Sequence, residues 1–310
     1  MYSSVVVPLD GSRLAEGVLP HVVEVTRGRG SRIHLLSVVA SARGGSGEVN
    51  DSVANGRARP NGEMAAYLQG IAAQLEPATA EVQVEIRSGR QADEILSFAA
   101  EVDADLIAMS THGRSGIGRW VFGSVADRIL RRSRCPVLLV RAGHTPRQAH
   151  YQRILVPLDG SELAEQVLPY IKALVTQGTP RSETTVYLVS VLTTGLGDRT
   201  MALLTSYPPG LQLATPALQY AQAQLLSYLR SVAAVLRDQG AVVRVDVLQG
   251  SPAEEVIAYA AEKEVDLIGM TTHGFSGLSR WVYGNVAAKV LQGGSRPVLL
   301  VRPVTEETAP

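Results

Sequence analysis

The stretch "STHGRSGIGRWVFGSVADRIL", Ser110–Leu130, decides how this chain is read. A near copy, "TTHGFSGLSRWVYGNVAAKVL", runs from Thr271 to Leu291. Each opens on small polar residues, reaches a glycine (Gly113, Gly274), runs nine residues on and meets a second glycine (Gly123, Gly284). Ser124 or Asn285 follows and leads into a helix-like run. Working outward, the lead-ins "DADLIAM" and "EVDLIGM" also repeat, as do "VVVPLDGSRLAEGVLPHV" from Val5 and "ILVPLDGSELAEQVLPYI" from Ile154. "CPVLLVR" and "RPVLLVR" close the two copies. The early motifs are offset by 149 residues and the late ones by 161, so the second copy has gained twelve residues between them. A repeat of this size is a duplicated domain rather than a solenoid.

Within each copy, apolar β-rich runs alternate with helical patterns. In the first, Val5–Val7 and "RIHLLSVV" read as strands, with the helix "LAEGVLPHVVEVT" between them. A helix around Met64–Leu75, the strand "VQVEIRSG", the helix "ADEILSFAAEV", the strand "DLIAMST", a helix from Ser124 and the strand "PVLLVR" follow. Such alternation builds a parallel sheet with helices on both faces. Strands that read as continuous apolar runs fit burial on both sides. The expected fold is therefore α/β, as two tandem doubly wound sheets, residues 1–142 and 151–303. "AGHTPRQAHYQ", from Ala142, is read as the linker and "TEETAP" as a polar tail. Two unlike stretches, "ASARGGSGEVNDSVANGRARPNG" and "TTGLGDRTMALLTSYPPGLQLATP", read as insertions after the second strand of each copy.

A length of 310 residues suits two domains, and 45% hydrophobic residues let each bury a core. Zero net charge, from 29 basic and 29 acidic residues, argues against a nucleic-acid partner while leaving room for a local anion site. Cys135 is the one cysteine, which excludes an internal disulfide and a cysteine-based zinc site. Its place in "CPVLLV" reads as inert packing. No run approaches the ~18 apolar residues of a membrane span. "MYSSVVVPLDGS" lacks a signal-peptide pattern. The expectation is a soluble, cytoplasmic protein.

In open α/β sheets, ligands bind at the carboxyl ends of the strands where the strand order reverses. Two segments of each copy reach that edge: "PLDGS" after the first strand and the repeated glycine loop after the fourth. A helix start offers unpaired N–H groups and partial positive charge to a phosphate. Glycine lets the backbone approach closely, and a serine caps the helix or bonds a phosphate oxygen. For one glycine alone, a turn role and a ligand role both stand open. The recurrence of the whole pattern after an apolar strand favours phosphate binding.

Neither a P-loop "GxxxxGK[ST]" nor a dinucleotide fingerprint after the first strand is present. Asp10 and Asp159 read equally as acceptors for a ribose hydroxyl or base amino group and as local turn residues. His112 and His273 read as loop-structuring residues, because no ligand-spaced cluster accompanies them. Trp120 and Trp281 read as anchors for the loop, and Arg119 and Arg280 as solvated side chains within reach of a terminal phosphate.

Taken together, "VPLDGS", then "STHG", nine residues, "GSVA" and "CPVLLVR" resemble the universal stress protein family, here in tandem. The resemblance implies five-stranded parallel sheets in the order 3-2-1-4-5. One branch of that family binds ATP through Gly, two residues, Gly, nine residues, Gly, then Ser or Thr. Gly113, Gly123 and Ser124 match the last three positions in the first copy; Gly274, Gly284 and Asn285 take them in the second. Ser110 and Thr271 replace the first glycine, and Asn285 lacks the hydroxyl.

By the same resemblance, Pro8, Leu9, Asp10 and Val38 lie near adenosine, Met109 and Ser110 line the pocket, and Val125 adds a backbone contact. Pro157, Leu158, Asp159, Val191, Met270, Thr271 and Val286 are the second set. The cofactor implied is ATP, with Mg²⁺ or Mn²⁺ accompanying its phosphates. The two "PVLLVR" edges are expected to pair as an intrachain pseudo-dimer, which leaves room for a further homodimer.

The residues show no general base and no metal-ligand cluster, so no catalytic or metal-binding residue is assigned. The expected role is nucleotide sensing or storage in a stress response, with little or no turnover. Two alternatives stay open: an interaction module of the same family that binds no nucleotide, and a weak ATP hydrolase. The "SGGxDS" loop of pyrophosphatase relatives is replaced here by "PLDGS".

Overall fold

The computed structural model describes residues 1–39, 61–76, 81–111, 123–141, 149–176, 184–193, 214–238, 240–272 and 284–304. These fall into two compact units. The first holds Met1–His150 together with Pro297–Arg302; Tyr151–Thr176 and most residues up to Arg296 make the second.

In the first unit the apolar run Ser4–Pro8 forms β1, whose Val5, Val6 and Val7 are fully buried. A 3-10 turn, Ala15–Val18, leads into α1, Leu19–Thr26. The sequence suggested one continuous helix here. The structure splits it at Val18, where Pro20 enters the first turn of α1 without an N–H to continue a helical ladder. Then come β2 (Arg32–Val39), α2 (Asn61–Leu75), β3 (Glu81–Ser88), α3 (Gln91–Glu101), β4 (Leu106–Thr111), α4 (Ser124–Arg132) and β5 (Val137–Arg141). The strands lie in the order β3-β2-β1-β4-β5, and those five are parallel.

The second unit repeats the plan with β6 (Arg153–Pro157), α5 (Glu162–Glu165), α6 (Leu168–Thr176), β7 (Thr185–Leu192), α7 (Ala214–Arg237), β8 (Val242–Gln249), α8 (Pro252–Glu262), β9 (Leu267–Thr271) and α9 (Asn285–Gly293). Its parallel strands run β8-β7-β6-β9, the same 3-2-1-4 order. The last strand of the second repeat, β10 (Val298–Val301), belongs to the first unit. There it pairs antiparallel with β5, Leu299 opposite Leu138, and covers what would be an open edge. Ala214–Pro216, assigned from sequence to the second insertion, begins α7, where a proline in the first turn breaks no ladder bond.

Both repeats use the same fastenings. Asp105 Oδ2 accepts from the Ser3 amide (2.9 Å) and hydroxyl (2.8 Å), and Oδ1 from the Ser4 amide (3.2 Å), tying the start of β1 to the start of β4. Asp266 accepts from the Gln152 and Arg153 amides at 3.0 and 2.8 Å. Tyr2 and Tyr151 occupy matching places and are almost wholly buried. Tyr151, read from sequence as linker, is thus a core residue of the second repeat. Ala108 on β4 is fully buried in the same unit as Val22 of α1. The second repeat places Gly269 and Ile171 at these positions, and a Cβ on Gly269 would meet the Ile171 side chain. The lost methyl on the strand makes room for the larger side chain on the helix.

Candidate functional site

Strand order places the site. From β1 the chain moves to β2 on one side, whereas from β4 it moves to β5 on the other, so the connections diverge between β1 and β4. That is the switch point at which open α/β sheets hold ligands.

Pro8 ends β1, and the Leu9 amide still donates to Leu36 O at 2.8 Å. The chain then leaves the sheet. Asp10 Oδ1 accepts from the Ser12 amide at 2.9 Å, Gly11 has φ 79°, and Ser12 Oγ accepts from the Ala15 amide at 3.2 Å. The positive φ is a conformation in which glycine carries no Cβ penalty. The turn leaves Asp10 exposed at the carboxyl edge. The second repeat copies it: Leu158 N donates to Val189 O at 2.8 Å, Gly160 has φ 85°, and Asp159 Oδ1 accepts from the Ser161 amide and hydroxyl at 3.0 and 2.6 Å. Asp159 is likewise exposed. The local-turn role of both aspartates is therefore seen directly.

Beside this turn stands the end of β4. Met109 and Ser110 are buried, and Ser110 Oγ donates to Ala15 O at 3.3 Å, joining β4 to the 3-10 turn. Met270 and Thr271 are buried at the matching positions of β9. Val38 and Val191 are half-buried near the ends of β2 and β7, with Pro8 and Pro157 half-buried at the ends of β1 and β6.

The helices complete each site. Gly123 is the N-cap of α4, at φ −62° and ψ 149°, and no side chain caps that helix. Gly284 caps α9 in the same way, at φ −53° and ψ 143°. Its amide donates to Thr272 O at 2.8 Å, closing the chain across the segment between them. Ser124 and Asn285, weighed from sequence as capping side chains, are instead the first helical residues, both exposed, with half-buried Val125 and Val286 after them. An uncapped helix start presents amides with no intrahelical partner. A Cβ added to Gly123 meets nothing within 4 Å among the described residues.

The two starts differ in charge. Asp127 sits in the first turn of α4, paired with Arg131 at 2.9 Å, whereas α9 has no acid in its first turn. Arg128 and Arg132 reach Asp93 on α3 at 3.4 and 3.1 Å. Gly113, Gly274, His112, His273, Arg119, Arg280, Trp120 and Trp281 lie outside the described residues.

One contact escaped the sequence reading. The Tyr67 hydroxyl on α2 donates to Glu16 Oε1 in the 3-10 turn at 3.0 Å. Glu165 and Tyr228 hold the matching positions in the second repeat. Among the described residues no group of three or more His, Cys, Asp or Glu side chains could hold a metal ion, and no helix is long and apolar enough to cross a membrane. Burial pushes the Cys135 thiol up, so it is not held as a thiolate.

The model of the universal stress protein family matches residues 1–141 and again 150–302. A universal stress protein of Methanocaldococcus jannaschii is 29% identical over 143 residues, 46% of this chain and 83% of that protein. A second from the same organism is 27% identical over 157 residues, 49% of this chain and 95% of its own length. Among solved structures, a universal stress protein from Archaeoglobus fulgidus superposes with a TM-score of 0.68 at 19% identity, covering 97% of this chain and 99% of that one.

Proposed function

The chain belongs to the universal stress protein family, and from that premise we propose that each repeat binds one ATP at the carboxyl edge of its sheet. Pro8, Leu9, Asp10 and Val38 lie beside the adenosine, with the Asp10 carboxylate accepting from a ribose hydroxyl or the base amino group. The amides at Ser124 and Val125 receive phosphate oxygens, with Gly123 leaving the approach clear. Pro157, Leu158, Asp159, Val191, Asn285 and Val286 do the same in the second repeat, with Gly284 at the matching helix start. Mg²⁺ or Mn²⁺ enters as the companion of the phosphates rather than on a protein ligand set. The protein senses or stores nucleotide in the cytoplasm with little or no turnover.

The observation that carries this reading is the repetition of one arrangement. In both repeats an exposed aspartate turn leaves the first strand, while the helix after the fourth starts at an uncapped glycine. The first and fourth strands are neighbours in each sheet, so both features share one edge. Micromolar binding requires roughly 8 kcal/mol, and four or five charge-assisted hydrogen bonds at ~1.5–3 kcal/mol each reach it after association costs.

A thermal-shift titration tests the proposal. ATP at a hundred times its dissociation constant adds about 2.7 kcal/mol, which moves the melting point by several degrees. ATP is expected to raise the Tm and GTP to leave it unchanged. An unchanged Tm with both refutes the reading.

A further inference from the structure

Glu16 and Tyr67 are 51 residues apart in sequence, on opposite sides of the first insertion, and meet at 3.0 Å. Glu16 belongs to the 3-10 turn Ala15–Val18, whose first amide donates to Ser12 Oγ and which continues the turn carrying Asp10. The same 3-10 turn is held from the sheet side by Ser110 Oγ on Ala15 O. The segment after β1 is therefore gripped twice, once by β4 and once by α2.

The second repeat keeps the residue types but holds them in a looser contact. The Tyr228 hydroxyl is shielded from solvent and has no hydrogen-bond partner among the described residues. Burial first, then the facing Glu165 carboxylate and the Asp159 charge, push its phenol above the ordinary range. Glu165 thus faces the hydroxyl, in a contact looser than that of Glu16 with Tyr67.

We propose that Tyr67 and Glu16 are positioning residues that preorganise the nucleotide turn of the first repeat, and that the looser Tyr228–Glu165 counterpart leaves the second repeat the weaker site. The affinity part of this inference rests on the nucleotide reading above; the pinning of the turn does not. Binding that must also order a loop loses part of its free energy to that ordering.

The test uses the full chain. Without nucleotide, Tyr67→Phe is expected to speed amide hydrogen exchange across residues 9–18 and to leave α3 and β4 unchanged. Glu16→Gln, which keeps an acceptor for the Tyr67 hydroxyl, is expected to preserve the slow exchange. Titration calorimetry with ATP, in a Gly284→Val background that blocks the second cradle, is expected to show affinity falling roughly three- to tenfold in Tyr67→Phe. Glu16→Gln should stay near the parent value. In a Gly123→Val background, which blocks the first cradle instead, Tyr228→Phe should change exchange over residues 158–167 and the second site's affinity less than Tyr67→Phe changes those of the first.

Unchanged exchange in Tyr67→Phe overturns the pinning. Faster exchange with unchanged ATP affinity overturns the preorganisation, and a Glu16→Gln loss with no loss in Tyr67→Phe overturns the hydrogen bond as its cause and assigns the effect to the Glu16 charge. A parent chain that takes up no ATP refutes the nucleotide reading and with it the affinity claim, while exchange still judges the pin.

Discussion

Replacing Gly123 by valine separates folding from phosphate binding. Gly123 sits at φ −62° and ψ 149°, extended backbone that any L-residue adopts, so the substitution adds no dihedral strain. The new Cβ meets nothing within 4 Å among the described residues. Valine is a poorer N-cap than glycine, at a cost of about 1 kcal/mol or less. The melting point should fall by only a few degrees. ATP binding should suffer far more, because two methyl groups would stand where a phosphate approaches the first amides of α4. Losing two charge-assisted hydrogen bonds removes about 3–6 kcal/mol, a factor of roughly 10² to 10⁴ in affinity. Calorimetric titration of the Gly123→Val, Gly284→Val double variant isolates the effect when set against each single variant: either alone retains one site and the pair retains none. A folded Gly123→Val, Gly284→Val chain that still binds ATP at parental affinity refutes the assignment of the phosphates to these helix starts.

Acid should weaken the fold through buried histidines. Burial lowers His21 from 6.5 to about 4, and burial, then the Arg32 charge, also lowers His34. Below pH 6.5 the unfolded chain takes up protons that the folded chain refuses, so stability falls with pH until the folded pKa is reached. For His21 the loss is about 2 kcal/mol at pH 5, read as a lower urea midpoint than at pH 8; equal midpoints would contradict it. Gly269→Ala should destabilise by about 1–3 kcal/mol through overpacking against Ile171, and adding Ile171→Val should recover most of that, giving a positive coupling in a double-mutant cycle. Additive effects would show that the two positions do not compensate.

The parts of the architecture legible in the sequence are those whose signal is local. Val5–Val7 and "DLIAMST" read as strands because a parallel strand buried on both faces is a continuous apolar run. Gly123 announced a helix start, and the structure has it as the cap with Ser124 the first helical residue. The break at Val18 was hidden because apolar spacing runs on through Pro20. Tyr151 looked like linker because one aromatic residue beside polar ones carries no periodic signal, and only its match to Tyr2 marks it as core. The Tyr67–Glu16 bond spans an insertion, so no periodicity links the two. The exchange of Ala108 and Val22 for Gly269 and Ile171 leaves no trace in hydrophobic pattern, only in volume.

A crystal structure grown with saturating ATP addresses the account most directly. It should place phosphate oxygens about 3 Å from the amides at Ser124 and Val125, and at Asn285 and Val286, with each adenosine beside Asp10 or Asp159. Nucleotide density at any other position, or clear density for the whole chain with both helix starts facing only solvent, would contradict it.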